Sequence, residues 1–205
     1  MLNPRLGRPD ELAQLQGRFA ATRRLRIEAA FPEARAAAWL TALRGSEHEA
    51  YQRVDPDAGF QVWRFGFEPG VGCEHPLCEL GRWLRADGVA WVAALTGLSL
   101  GAEPNPMLLS DKACKAAFRD GYDARAEAPG RVIGFAVHLT PGPWPVEWGG
   151  HLELHDGDVV ERFGPAWNTL DLFDLSAPGQ GRRRLPMIDR HVEGYTITGG
   201  FHASS

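Results

Sequence analysis

The stretch that decides the fold runs from Arg131 to Asp156 and reads RVIGFAVHLTPGPWPVEWGGHLELHD. In its first part, successive side chains alternate between a bulky face and a small-residue face, which is the period-two pattern of a β-strand. The prolines and glycine of residues 140–145 cannot continue a strand ladder and indicate a loop. A second alternating run follows over 151–155, and Asp156-Gly157 favours a turn. We therefore predict two strands joined by an aromatic, proline-rich loop. The bulky face of the first strand carries Ile133, Phe135, Val137 and Leu139, and the other face carries Val132, Gly134, Ala136 and His138.

Composition and charge favour one soluble domain. The 205 residues are 44% hydrophobic and 23% charged, which is enough to bury a substantial core. A net charge of −4 gives no electrostatic reason to expect a nucleic acid or an anionic membrane as partner. No apolar run approaches the length of a membrane span, and the N-terminal MLNPRLGRPDELAQ lacks the apolar core of a signal peptide. With an odd number of cysteines, which favours a reducing compartment, we predict a cytoplasmic location.

The first half of the chain has helical patterns. A helix is predicted from about Pro9 to Arg24, where proline and aspartate suit a helix start. A second is predicted over about 32–43, with Trp39 and Leu40 towards the core, and a third over 76–95. Short strands are predicted at 27–31 and 59–67. We expect a helical N-terminal half that supports a β-rich C-terminal half within one domain.

A cluster of cysteines and a histidine lies at 73–78, with the sequence CEHPLC. Two thiols and an imidazole at this spacing could form half of a zinc site. No second paired group follows, and Cys114 stands alone. Buried or half-buried cysteines in a loop are the favoured interpretation, since free cysteine behaves as a small hydrophobic residue.

The stretch that starts at Arg131, together with FGPAWNTLDLF at 163–173 and YTITGGF at 195–201, resembles the Fe(II)/2-oxoglutarate-dependent oxygenases. The similarity is to their prolyl 4-hydroxylase-like bacterial branch, and GFQVWRF at 59–65 and LTGL at 95–98 also resemble it. The resemblance implies an α+β fold, with a double-stranded β-helix, a jelly-roll or cupin-like barrel, flanked by N-terminal helices. It implies one domain over 1–205, with helical support at about 9–100 and the barrel core at about 105–203.

The resemblance also implies where the active site should lie. The family holds iron by a His-x-Asp pair and a later histidine, which leaves positions open for 2-oxoglutarate and oxygen. Placed without gaps, this chain has Gly121-x-Asp123 at the pair, Gly181 at the later histidine and Gly194 at the basic residue for the 2-oxoglutarate carboxylate. No histidine lies between Asp111 and Gly130, so no shift of register restores the pair.

The remaining polar and aromatic residues suggest a different use of the barrel. We predict Asp123, His138 and Tyr122 as candidate catalytic groups, because carboxylate, imidazole and phenol can exchange protons. A basic run at 182–184 lies near the same mouth and could meet an acidic ligand or simply be solvated. The predicted lining of the ligand pocket is Gly121, Gly181, Gly194, Arg131 and Trp144.

The resulting hypothesis is a degenerate oxygenase-like protein that binds a small molecule or pairs with a partner enzyme. No cofactor is expected on this hypothesis, although the family would use Fe(II) and 2-oxoglutarate. The alternative is an enzyme of the same fold with metal-independent acid/base chemistry or a metal site rebuilt around Asp123 and His138. An ordinary hydroxylase is the interpretation that the residues favour least.

Overall fold

The computed structural model describes residues 1–45, 74, 76–101, 109–112, 131–149, 151–156, 158–176, 180–184 and 194–204. The predicted strand at 59–67 lies outside these residues, as do Cys73, His75 and Cys114. The described helices are α1 (Pro9–Thr22), α2 (Glu33–Gly45), α3 (Pro76–Arg85) and α4 (Asp87–Thr96), with short 3-10 turns at Pro4–Gly7 and Val146–Trp148. None of these described helices is long and apolar enough to cross a bilayer.

The third predicted helix is two helices. The helical conformation is interrupted at Ala86, whose φ of −122° and ψ of −101° are not helical. The break lets Gly88 approach the carbonyl of Trp83, where a Cβ on Gly88 would lie 2.7 Å from the carbonyl oxygen. Only glycine fits this approach, so the Asp87-Gly88 pair marks a helix boundary that the apolar pattern concealed.

The described strands are β1 (Arg24–Ile27), β2 (Leu100–Gly101), β3 (Leu109–Lys112), β4 (Arg131–His138), β5 (Leu152–Asp156), β6 (Val159–Phe163), β7 (Thr169–Asp174), β8 (Gln180–Arg184) and β9 (Tyr195–Ala203). The prediction of a strand at 27–31 is wrong for most of that range. The strand ends at Ile27, and the chain turns through Ala29, which has a positive φ of 45°.

The strands form two antiparallel sheets. The larger sheet has six strands in the order β1-β7-β4-β9-β2, with β3 also paired to β9. The smaller sheet has the order β6-β5-β8. This arrangement, with helices beside the larger sheet, confirms the predicted α+β double-stranded β-helix. The predicted strand, loop and strand of 131–156 are confirmed as β4, a proline-rich loop and β5.

The alternation along β4 divides the molecule into a helix-packed layer and a barrel interior. Ile133, Phe135 and Val137 are almost completely buried in the main core with residues of all four helices, such as Phe19 and Trp39. The opposite face of β4 therefore lies towards the smaller sheet.

The interior is closed by contacts between the two sheets. Phe173 of β7 packs with Leu154 of β5 and Phe163 of β6. Its ring covers Gly134, where an added Cβ would lie 2.1 Å from Cε2 of Phe173. Two arginines of β1 reach the smaller sheet from the edge: Arg24 pairs with Glu161, and Arg26 donates to the carbonyl of Gly164 at 2.8 Å.

Candidate functional site

A polar patch lies on the interior face of the larger sheet, at the end where β4 finishes. His138 is opposite Thr196 on one neighbouring strand and opposite Thr169 on the other. Asp171 lies one step along β7, opposite Ala136. The register therefore brings His138, Thr196 and Asp171 onto one face within side-chain reach of each other. His138 therefore lies on the face of β4 opposite Ile133, Phe135 and Val137, as the alternation of the sequence predicts.

The three side chains form a continuous chain of hydrogen bonds. Nε2 of His138 lies 2.8 Å from Oδ2 of Asp171, and Nδ1 lies 3.1 Å from Oγ1 of Thr196. The residues are nearly inaccessible, with exposed fractions of 4% for His138, 1% for Asp171 and 2% for Thr196. A neutral imidazole that carries its proton on Nε2 donates to Asp171 and accepts from the threonine hydroxyl, whereas a protonated one donates to both.

Arg26 anchors the buried carboxylate from the sheet edge. Its Nε donates to Oδ1 of Asp171 at 2.8 Å and its Nη2 donates to Oδ2 at 2.7 Å, a bidentate pair. The same guanidinium lies over the ring of Phe163, 5.0 Å from its centroid. Burial opposes ionisation of Asp171, but the hydrogen bonds from Arg26 and His138 outweigh it and hold the pKa of this carboxyl below its usual value.

Arg26, Asp171 and Thr196 are not among the site residues predicted from the sequence. An aspartate inside the apolar strand TLDLF was the available signal, because a buried carboxylate requires partners. The partners could not be identified from the sequence, since Arg26 reaches Asp171 through the pairing of β1 with β7.

Three of the other predicted site residues, Gly121, Tyr122 and Asp123, lie outside the described residues. Trp144 is half-buried in the loop after β4, where its indole donates to the carbonyl of Gly149 at 2.7 Å. Its ring meets that of Trp148 edge-on at 5.3 Å, so the two tryptophans shape the loop.

Two further residues of the predicted ligand pocket, Gly194 and Arg131, belong to the larger sheet or directly precede one of its strands. Gly194 is buried immediately before β9, and Arg131 begins β4 opposite His202. Neither observation tests a role in ligand binding, and these roles stay predictions.

The register of the smaller sheet places Gly181 opposite His155. His155 alternates with Leu154, and Leu154 packs on Phe173 in the interior. The alternation therefore assigns Gly181 to the outer face of this sheet. The interior register positions of β8 are occupied by Gln180, Arg182 and Arg184, which lie opposite Asp156, Leu154 and Leu152.

The outer face of the same sheet carries a second polar group around Glu153. This buried carboxylate accepts from Nε of Arg162 at 2.8 Å and lies 3.4 Å from Nε2 of His155. Burial opposes its ionisation, yet Arg162 and His155 together hold the pKa of Glu153 below its usual value. The contacts favour a role in stabilising the sheet.

His151 is buried against Gly164, where a Cβ would lie 2.7 Å from Nε2 of the imidazole. Burial lowers the pKa of His151, so its neutral form is favoured.

The described residues do not supply a complete metal site. Among them, no group of three or more histidine, cysteine, aspartate or glutamate side chains could hold an ion. Cys78 is fully buried on α3 and disulfide-bonded, so its thiol is not available to a metal. The predicted burial of Cys78 is confirmed, whereas its prediction as a free cysteine in a loop is wrong.

Solved structures with the same arrangement of strands and helices were found by comparison. A prolyl-4-hydroxylase from Pseudomonas putida matches with a TM-score of 0.69 and 17% identity, over 95% of this chain and 100% of that one. A 2OG-Fe(II) oxygenase family oxidoreductase from Burkholderia pseudomallei matches with a TM-score of 0.62 and 14% identity, over 94% of this chain and 89% of that one. The chain has the fold of the 2-oxoglutarate-Fe(II) oxygenases.

A third structure shows how varied the chemistry on this fold is. The non-heme alpha-ketoglutarate-dependent epimerase SnoN, from nogalamycin biosynthesis, matches with a TM-score of 0.61 and 14% identity, over 97% of this chain and 85% of that one. No protein-family model matches the sequence, and no curated protein matches it. At these identities the structures establish the fold alone.

The comparisons correct the prediction that no cofactor is expected. The Burkholderia pseudomallei protein is described as a 2OG-Fe(II) oxygenase family member and SnoN as alpha-ketoglutarate dependent, so the fold points to Fe(II) and 2-oxoglutarate. Within the described residues the side chains do not fit the iron, because both ring nitrogens of His138 are engaged by Asp171 and Thr196. The segment with Gly121 and Asp123 lies outside the described residues.

Proposed function

We propose that this chain uses the oxygenase fold to bind a small molecule in a barrel that lacks the His-x-Asp and histidine triad. The observation that carries the proposal is the engagement of His138 on both ring nitrogens by residues of its own sheet. A histidine that ligates iron needs one ring nitrogen directed at the metal. His138 therefore supports a preorganised polar wall for a ligand, with Thr196 and Asp171 as its partners.

The sequence of β8 supports the same conclusion independently of any alignment within that strand. It reads QGRRR and contains neither histidine nor carboxylate. The resemblance places the later iron histidine in this part of the chain. We therefore propose that the chain does not turn over 2-oxoglutarate through the usual triad.

The test begins with the cofactors to which the fold points. Purified protein is titrated anaerobically with Fe(II) and 2-oxoglutarate, and succinate is then measured after oxygen is admitted. We expect no succinate above the protein-free control, because the usual ligand set is missing. Binding of either compound without succinate agrees with the proposal, since binding is not turnover.

An Asp123→Ala variant serves as the matched control for this assay. Succinate that forms with the wild-type chain and disappears in Asp123→Ala would overturn the proposal and identify a catalytic iron site. If Asp123→Ala forms as much succinate as the wild-type chain, the succinate comes from contaminating iron or a contaminating enzyme. Repeating the assay on repurified protein should then abolish it.

Acid/base catalysis without metal is the second candidate function, and the His138–Asp171 pair favours it. The carboxylate orients one nitrogen of the imidazole while the Thr196 hydroxyl lies at the other, an arrangement that can activate a hydroxyl. The near-complete burial of the three residues is the reason for ranking it second. Hydrolysis of 4-nitrophenyl acetate provides the test, and an equal rate in Thr196→Val would eliminate this candidate.

A further inference from the structure

The edge strand β1 of the larger sheet is protected by side chains from the preceding helix. The Arg24 carbonyl accepts from Oγ1 of Thr22 at 2.7 Å, and the Arg26 carbonyl accepts from Nη2 of Arg18 at 3.4 Å. Acceptors on an edge strand that are occupied in this way are less available to a strand of another chain.

The edge strand β6 of the smaller sheet is exposed instead. Of its five residues only Phe163 is buried, and Val159 and Val160 have exposed fractions of 59% and 46%. Within the described ranges, no backbone or side-chain group bonds to the backbone of β6 from the side away from β5. An exposed strand edge with apolar side chains is a template for pairing with a further strand.

The hairpin geometry determines which backbone groups of β6 point outward. Asp156 and Val159 are paired across a two-residue turn, and a pair in this position can only be hydrogen-bonded to each other. Bonding to β5 alternates along the strand, so the N–H and C=O groups of Val160 and Arg162 point away from β5. These two residues carry the groups that a further strand would meet.

We propose that β6 pairs with β6 of a second copy of this chain, in an antiparallel register centred on Val160. A two-fold axis at Val160 lets the two valines exchange backbone hydrogen bonds and brings their side chains together. The same axis places Asp158 opposite Arg162 of the second copy, and this pair of opposite charges occurs twice.

Both members of this charged pair are accessible. Asp158 is exposed in the turn before β6, and the side chain of Arg162 is 55% exposed. Arg162 bonds to Glu153 through Nε at 2.8 Å, which leaves its terminal nitrogens for an acceptor on the second copy. The charge pattern of β6 is thus complementary to itself, which favours a second copy over an unrelated strand.

The neighbouring registers are less favourable. Two-fold symmetry requires opposed residues to lie on the same face, so the axis must coincide with a residue. An axis at Glu161 would place two carboxylates opposite each other. An axis at Val159 would leave Val159 as the only position at which both copies contribute a strand residue.

Sedimentation velocity of the full chain, from about 1 to 300 μM, tests the association. A strand pair of this length is smaller than the interfaces of about 1,200–2,000 Å² that stable complexes bury, so we expect a dimer with a micromolar dissociation constant. Val160→Lys places two ammonium groups together at the axis and should weaken the dimer about tenfold or more. Val146→Lys is the matched control, because Val146 is 57% exposed in the turn between β4 and β5, and it should change the dissociation constant less than about twofold.

Cysteine crosslinking tests the register. In Val160→Cys the two thiols lie opposite each other, so mild oxidation should form a disulfide between copies that is visible as a dimer under denaturing, non-reducing conditions. Val159→Cys is the control on the same strand, since Val159 would be opposite Glu161 of the second copy. The wild-type chain gives the background from its own cysteines.

The outcomes are distinct. A wild-type chain that stays monomeric over the whole concentration range would overturn the proposal and leave the β6 edge to a strand of another protein. A dimer that Val160→Lys does not weaken would also overturn it, because the copies would then meet elsewhere. Crosslinking of Val159→Cys as fast as Val160→Cys would overturn the register centred on Val160.

Discussion

His138 and Asp171 are joined by a 2.8 Å hydrogen bond across β4 and β7, with both side chains almost completely buried. Through Arg26 on one side and Thr196 on the other, this bond connects four adjacent strands of the larger sheet. A buried carboxylate of this kind fixes the rotamers of its donors and excludes alternative packing of the interior. The network is therefore both the polar wall of the candidate site and part of what orders the sheet.

Removal of the Asp171 carboxylate should destabilise the fold strongly. In Asp171→Ala both Arg26 and His138 lose their acceptor within the interior, and the loss of one partner from a buried ionic group costs about 3–5 kcal/mol. The free energy of unfolding is measured by urea denaturation followed by circular dichroism. Glu161→Gln is the control, since Glu161 is 45% exposed and such a pair contributes about 1 kcal/mol or less. An equal decrease in the free energy of unfolding in the two variants would contradict the assigned hydrogen-bond network.

The same carboxylate should contribute to the acid sensitivity of the protein. Because the pKa of Asp171 is lowered in the folded state, its stabilising contribution is complete above the unfolded value of about 3.9. The contribution is lost as pH falls from there through the lower folded pKa. The free energy of unfolding should therefore decline below about pH 4 in the wild type and decline less steeply in Asp171→Asn. Asp174 and Glu153 also have lowered pKa values, so a part of the slope should remain.

Arg26 should be a main cause of that lowered pKa. Its hydrogen bond is the largest of the influences that lower the pKa of Asp171 against the opposing effect of burial. Arg26→Met should therefore raise the pKa of the Asp171 carboxyl, measured by carbon-13 NMR titration. Arg23→Met is the matched control, because Arg23 pairs with Asp174 instead. An unchanged Asp171 titration in Arg26→Met would show that His138 and burial alone determine it.

The sequence predicted the elements better than the contacts between them. The alternation along β4 identified both of its faces, because burial of Ile133, Phe135 and Val137 requires it. The Arg26–Asp171 pair was missed because strand pairing across the sheet edge leaves no local pattern. Gly181 shows the limit most clearly: a shift of one residue moves a strand position to the other face, and only the pairing with β5 determines which face it occupies.

Gly134 should be intolerant of any side chain because Phe173 occupies the space beside it. A Cβ at this position would lie 2.1 Å from the phenyl ring, so either the ring or the strand must move. Overpacking of this kind costs about 1–3 kcal/mol, and Gly134→Ala should lower the free energy of unfolding accordingly. In Gly134→Ala with Phe173→Leu the two losses should be less than additive, since the smaller side chain relieves the clash. Gly17→Ala in α1 is the control: no atom lies within 4 Å of the added Cβ, and alanine in a helix should stabilise by about 0.5–1 kcal/mol. Strict additivity in the double variant would show that Phe173 is not what excludes a side chain from Gly134.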